Sequence, residues 1–346
     1  MKALLALGLL LPFLNAGLGL NILPASCQIL LYLMLAQGLN LVVGYAGLLH
    51  LGYAAFFAIG AFSMAYLTSP QSPLAHLFQW SFYLALPASV LITSAFGALL
   101  AWPTLKLRGD YLAIVTMGFG LMLDPLLRNY DESTKAITGM SAIAAPLPGA
   151  TVEVFYIVML LALLGCITVA YRVRHSSVGR ALRALREDPV AAQACGISQQ
   201  RLKLQVLVLS AALAGLAGGL YASYIYTLNL SFPLDFNGSI MVLAMVILGG
   251  VGSIRGAVLG GLALGTFNLI VIPKLIDLMQ TNLSPMLAGA LSPTVWKWLE
   301  PWLDLSKAQF LMFGLTLVAM MLWRPEGLLP EQPVHYPEAE PAETPS

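Results

Sequence analysis

The residues able to do chemistry are few in this chain, and most of them share one stretch, Tyr171–Lys203. It carries seven of the 17 Lys and Arg residues against two acids, Glu187 and Asp188. Arg180, Arg183 and Arg186 recur every third residue with Ala181, Leu182 and Leu185 between them, so Val178–Arg186 reads as a helix. Asp188-Pro189 then interrupts. Asp is a favoured N-cap, and Pro suits the first helical position, where its missing N–H has no intrahelical partner to lose. Val190–Cys195 therefore forms a second short helix, and Gly196 is placed to end it in a left-handed turn. A solvated loop needs no capped, Ala-rich helix with a small-residue face. Such a face seats in a groove on another protein. The chemistry offered here is docking.

Elsewhere the inventory is thin. No lysine follows a glycine, so the phosphate-cradling G-x-x-x-x-G-K-[ST] loop is absent and nucleotide is not bound by that route. Ion-driven carriers set several ionisable groups near mid-membrane, usually in relay. Asp124 stands near the outer end of one apolar run, while Asp110, Asp235 and Asp277 lie at boundaries. His50 is alone near another boundary and reads as a packed or capped residue. No Ser/His/Asp set or carboxylate pair suggests an enzyme. Cys27, Cys166 and Cys195 are far apart with no metal-ligand spacing, and Cys27, after Leu23-Pro24-Ala25-Ser26, reads as a loop cysteine.

The elements that must position these residues are membrane helices. The chain is 59% apolar and 10% charged, where a soluble domain has about 25% charged residues. Apolar runs recur at lengths able to cross a bilayer, and inside lipid such runs must be helical to satisfy their own backbone. The expected fold is an all-α polytopic membrane protein with about ten (8–10) transmembrane helices. They are placed at Ala3–Leu20, Ile29–Val43, Leu51–Thr68, Phe82–Trp102, Tyr111–Leu127, Val152–Tyr171, Leu204–Tyr226, Ser239–Ile254, Ala257–Ile272 and Phe310–Trp323. Ala3–Leu20 follows Lys2 and is read as a first membrane helix, with a signal peptide as the alternative. The third, eighth and ninth are short and glycine-rich, which allows re-entrant or broken segments. With the Tyr171–Lys203 loop inside, twelve Lys and Arg residues fall inside and five outside, and both termini are cytoplasmic. Pro273–Gln309, with Trp296, Trp298 and Trp302, reads as an outer segment at the interface. Residues 1–329 are expected to form the transmembrane domain, with the docking loop at 172–203, and the Pro- and Glu-rich 330–346 a disordered cytoplasmic tail. Ala211, Gly215 and Gly219, and Gly256, Gly260, Gly261 and Gly265, are spaced for close helix packing, by default inside one chain.

GRALRALREDPVAAQACGIS resembles the cytoplasmic coupling loop of LivM-type permeases of branched-chain amino acid ABC importers. VVGYAGLLHLGYAAFFAIGAF at 42–62, PTLKLRGDYLAIVTMGFG at 103–120, SIMVLAMVILGGVGSIRGAVLGG at 239–261 and RPEGLL at 324–329 agree in content and order. The resemblance runs from about Leu30 to Leu329. It implies a permease subunit in the bacterial inner membrane, paired with a second, related permease. Two ATPase subunits and a periplasmic or lipid-tethered binding protein complete the importer. No cofactor is implied in this chain, ATP being bound by the partners, and no nucleic acid is expected. Gly179, Arg180, Arg186, Glu187, Ala191, Ala192 and Gly196 would face the ATPases. Ala191-Ala192 followed by Gly196 matches the Ala-Ala-x-x-x-Gly core of importer permeases, but Val190 stands where the acid usually precedes the alanines and Glu187 lies upstream.

For the translocation path the expected residues are Gly47, Gly52, Gly60, Gly118, Asp124, Gly249, Gly250 and Gly252, with Gly44–Gly60 and Leu248–Gly256 as candidate broken segments. Half-helix ends offer free N–H and C=O groups to the opposite charges of a zwitterion. Two departures bear on substrate. Where the family commonly has Gly-Phe-Gly-Glu, this chain has Gly118-Phe119-Gly120-Leu121; where it commonly has Thr-Gly-Gly-x-Asn-Gly, this chain has Thr138-Gly139-Met140-Ser141-Ala142. The expected cargo is a branched-chain or other neutral amino acid, with urea or short amides as the alternative and ion-coupled secondary transport as the rival mechanism.

Overall fold

The computed structural model describes residues 22–72, 79–105, 107, 110–129, 142–147, 149–227, 236–278 and 327–330, with single positions at 281, 314, 315, 318 and 322. Every element in this set is helical. In chain order they are α1 (Leu23–Asn40), continued by a π turn (Leu41–Tyr45), α2 (Tyr53–Thr68), α3 (Phe82–Thr104), α4 (Asp110–Asn129), α5 (Val152–His175), α6 (Ser177–Glu187), α7 (Pro189–Ala194), α8 (Gln199–Ile225), α9 (Phe236–Gly249), α10 (Ile254–Thr266), a second π turn (Phe267–Val271) and α11 (Ile272–Leu278).

Five stretches among the described residues are long and apolar enough to cross a membrane: Leu23–Tyr45, Phe82–Thr104, Val152–His175, Gln199–Ile225 and Ile254–Lys274. Tyr53–Thr68, Asp110–Leu123 and Asn237–Gly249 are shorter apolar helices. The spans expected at Ala3–Leu20 and Phe310–Trp323, the segment 279–309 and the tail 331–346 lie outside the described residues, apart from the single positions above.

Helix α1 is the axis. It is apolar nearly all round, as suits a helix enclosed by others, and most of its residues are buried. It packs on α5, α8, α9 and α10. Helix α8 is mostly buried, against α2 and α3. The perimeter belongs to α3 and α5, most of whose residues are not buried, and where Leu91, Leu99, Trp102 and Leu161 face outward. Small residues set the close crossings. A first side-chain carbon on Gly60 of α2 would fall 2.5 Å from the Gly215 carbonyl oxygen of α8, and one on Gly97 of α3 would fall 2.5 Å from Ala211. One on Gly260 of α10 would fall 2.2 Å from the Met245 carbonyl oxygen of α9. The small-residue stripes thus pack within this chain.

Contacts sort the turns to two ends. At one end lie 46–52, 105 and 107, 176–198, 250–253 and 327–329; Lys203 Nζ, for example, donates to the Leu107 carbonyl at 3.0 Å. At the other, Ala144 N donates to Thr68 Oγ1 at 3.3 Å and the Tyr83 hydroxyl to the Pro146 carbonyl at 2.9 Å.

Several helix boundaries differ from the sequence reading; the helix expected at Ser239–Ile254 ends at Gly249, and the next begins at Ile254 rather than Ala257. Cys27 is no loop residue: it is fully buried inside α1. Pro24 opens that helix because the first turn does not need its N–H. The polar segment is also shorter than 172–203. α5 runs on to His175, with Arg172, Arg174 and His175 in the last turn, where cations favour the carbonyl end, and α8 starts already at Gln199.

Candidate functional site

The segment between α5 and α8 folds as the two short helices its caps require. Ser176 caps α6, its hydroxyl accepting from the Gly179 N–H at 3.2 Å. Asp188 caps α7, one carboxylate oxygen accepting from Val190 N at 2.8 Å and Ala191 N at 3.1 Å. Gly196 follows with φ +82°, the left-handed conformation that ends a helix without steric cost. Leu182 and Leu185 anchor α6, and Ala192 anchors α7. The outward side carries Glu187, Val190, Ala191 and Gly196, with Val190 74% exposed.

The three arginines of α6 divide their work. Arg180 donates to the His175 carbonyl at 3.2 Å, and Arg183 to the Arg174 carbonyl at 2.9 Å. Both occupy carbonyls at the end of α5, where a helix carries partial negative charge. Arg186 reaches away from its own helix and donates to the Gly44 carbonyl. Its aliphatic stem lies over Gly47, whose φ is +64°; a first side-chain carbon there would come 2.9 Å from Arg186 Cγ.

Gly44 belongs to the π turn that ends α1, and it packs against the turn between α9 and α10. A first side-chain carbon at Gly44 would lie 2.7 Å from the Gly252 backbone. Asn40 Oδ1 accepts the Gly252 N–H at 2.8 Å, and Gln37 Nε2 donates to the Ile254 carbonyl at 3.0 Å. The C-terminal segment joins the same place: Leu328 N donates to the Leu248 carbonyl at 2.9 Å and Leu329 N to the Gly249 carbonyl at 3.0 Å. On the other flank, Leu51 N donates to Thr116 Oγ1 at 3.2 Å, and Gly52 lies against Gly120.

His50 is enclosed by this arrangement. It is fully buried, with ring centroids 6.0 Å from Tyr53 and 5.3 Å from Phe56. Among the described residues neither ring nitrogen has a hydrogen-bond partner. Burial pushes its pKa down to about 4, so the ring is neutral near pH 7. It is a packed residue, as expected from its isolation. Among the described residues no group of His, Cys, Asp or Glu has metal-ligand proximity.

Residues 21–296 match a family model described as the permease component of branched-chain amino acid transport systems. The chain belongs to that family. It is 35% identical to the high-affinity branched-chain amino acid transport system permease protein LivM of Escherichia coli, over 95% of this chain and 74% of that protein. It is 24% identical to a probable LivM of Methanocaldococcus jannaschii, over 89% and 92% of the two chains. The LivH permease of Salmonella typhimurium is 25% identical over 68% of this chain and 79% of its own length. No solved structure gives a significant match.

This permease is a multi-pass membrane protein and not an enzyme, and the fold distributes its expected residues unevenly. Gly179 and Ala192 are buried; a side chain at Gly179 would strike the Val173 carbonyl oxygen at 2.1 Å, so they shape the two helices from within. Arg180, Arg186, Glu187, Ala191 and Gly196 are exposed. Gly47, Gly249, Gly250 and Gly252 converge at the paired turns, with Gly52 at the edge of that cluster. Gly60 lies in the α2–α8 crossing, and Gly118 of α4 faces open space, with nothing within 4 Å of a built side-chain carbon. Position 124 falls within α4, but the Asp124 side chain lies outside the described residues, as do Thr138–Ser141.

Sequence reasoning placed Gly44 at the start of a candidate broken segment but passed over Gln37 and Asn40. Their signal was present: two amides three residues apart on one face of an otherwise apolar span.

Proposed function

We propose that this chain is the permease subunit of an ATP-binding-cassette importer that carries branched-chain or other neutral amino acids across the bacterial inner membrane. The carrying observation is the 35% identity to LivM over 95% of the chain. The α6–α7 unit, with its capped second helix and exposed small-residue side, supports a docking role. It faces the cytoplasm, both termini lie on that side, and two ATPase subunits receive it. ATP is bound by those partners, since the P-loop is absent here. A second permease related to LivH completes the pathway, and a periplasmic or lipid-tethered binding protein delivers the cargo.

In this reading ATP closes the ATPase dimer, the α6–α7 unit moves with it, and the permease pair rocks between inward- and outward-facing states. Glu187, Val190, Ala191 and Gly196 meet the ATPase, with Arg180 behind them. Gly47, Gly52, Gly249, Gly250 and Gly252 line the inner end of the path, with Gly60, Gly118 and Asp124 along it. A zwitterion needs backbone N–H and C=O groups more than side-chain charge. Leucine in place of Gly47 or Gly249, with assembly intact, should abolish uptake; normal uptake removes these turns from the path. The departures at Leu121 and Thr138–Ala142 support a second reading of the cargo as urea or a short amide, and the specificity of the purified binding protein separates the two.

The test is a mild-detergent pull-down of the tagged chain from its native membrane with mass spectrometry of the eluate. A related permease and one or two ATPases are expected. A chain that elutes alone, under conditions that preserve other complexes, and transports in vesicles without ATP refutes the importer reading in favour of an ion-coupled carrier.

A further inference from the structure

Arg186 sits where four separate pieces of the chain meet. Its helix, α6, packs against the π turn Leu41–Tyr45 and against α8. Its guanidinium donates to the carbonyl of Gly44, 142 residues earlier in the chain. Charge-assisted hydrogen bonds are about twice as strong as neutral ones. Arg180 and Arg183, by contrast, are spent on the end of α5, directly before their own helix. Thus Arg186 is the α6 arginine that ties this helix to the α1 axis.

What it holds is mechanically continuous. The π turn is an irregular stretch of helix, and such bulges recur at functional sites. Gly44 touches the Gly252 backbone, and Asn40, one helical turn before, holds the Gly252 N–H. The α9–α10 turn is in turn clasped by Leu328 and Leu329, with Gly327 lying against Gly250. Displacing the carboxyl end of α6 therefore pulls first on Gly44 and then on both glycine turns.

We propose that Arg186 is a positioning residue that transmits movement of the α6–α7 unit, through the Gly44 carbonyl, to the paired turns 46–52 and 250–253. This rests on the importer reading above. It departs from a docking role for Arg186: the guanidinium serves the inside of the permease, while Glu187, Val190 and Ala191 serve the partner. Side chain and turn form a link whose strength sets how much of each ATP cycle reaches the pathway.

The test uses the complete importer in liposomes, with ATP hydrolysis, substrate uptake and recovery of ATPase subunits measured on the same sample. With Arg186→Gln, ATPase recovery and hydrolysis should stay within about twofold of wild type while uptake falls about tenfold, so the cargo moved per ATP collapses. Arg186→Lys, which keeps the charge and a donating ammonium but loses the planar guanidinium, should lie between, and it preserves the test if the glutamine variant does not assemble. Loss of the ATPases from an otherwise folded Arg186→Gln complex overturns the proposal and makes Arg186 a docking contact. An unchanged ratio of uptake to hydrolysis in an ATP-driven complex overturns this role alone. A wild-type chain that transports with no ATPase present overturns the importer reading, and this role with it.

Discussion

Asn40 and Gly252 are 212 residues apart in the chain, yet the side-chain oxygen of one takes the backbone N–H of the other at 2.8 Å, in a buried contact. That bond closes the α1 axis onto the α9–α10 turn. Removing it by Asn40→Leu leaves the Gly252 N–H buried without its acceptor. Leaving such a group unsatisfied costs about 1–3 kcal/mol. A lower thermal midpoint in detergent is expected, together with faster amide exchange at 250–253. An unchanged midpoint would mean that the turn holds its shape by packing alone.

Gly60 and Gly118 offer a matched pair. Alanine at 60 drives a carbon to 2.5 Å from the Gly215 carbonyl oxygen, where backbone faces backbone and nothing can swing aside. Overpacking of this kind costs about 1–3 kcal/mol. Alanine at 118 meets nothing within 4 Å and is a better helix former than glycine by about 1 kcal/mol. Yield of folded protein after detergent extraction should fall for Gly60→Ala and hold or rise for Gly118→Ala. Equal behaviour would contradict the α2–α8 crossing.

Asp188→Ala removes the acceptor for the Val190 and Ala191 N–H groups. Loss of an N-cap costs about 1 kcal/mol. In a helix of only six residues that is enough to fray it. Hydrogen exchange across 189–194 should accelerate, and Asp188→Asn, which retains an acceptor, should restore most of the protection.

His50 ties stability to pH. Its ordinary value of 6.5 is lowered to about 4 by burial, so the folded chain holds the ring neutral where the unfolded chain protonates it. The native state therefore keeps its full margin above about pH 6.5 and loses it as the pH falls toward 4, by about 3 kcal/mol if the ring stays enclosed. Melting curves between pH 7.5 and pH 5 read this directly (both values set about the ordinary histidine pKa). His50→Phe should flatten that part of the slope, and a slope unchanged by the substitution would assign the acid sensitivity to other groups.

What could be read from sequence was local. The caps at Asp188 and Gly196 depend on neighbours within a few residues, and both formed where their residue types put them. The all-helical, membrane-spanning character of the chain was legible because apolar length is a property of the chain itself. The partner of Arg186 was not, because three arginines at equal spacing look alike until the π turn brings Gly44 beneath one of them. Cys27 was misread for a related reason: Pro24 breaks helices in their interiors, and its place in a first turn is visible only once the helix start is known. The meeting of 44–47, 249–252 and 327–329 depends on contacts across most of the chain, and glycine spacing carries no record of which glycine will be opposite.

Helix α1 also carries a consequence for synthesis. It emerges early, yet Gln37 and Asn40 find their partners at Ile254 and Gly252. Until the ribosome has made those residues, two amides sit in a membrane segment with no protein acceptor or donor of their own, at a penalty of several kcal/mol. Truncated chains that stop short of the α9–α10 turn should hold α1 poorly and expose it to membrane quality control. The later-made part thus acts as a check on the first: the axis settles only once the chain has been made through the α9–α10 turn.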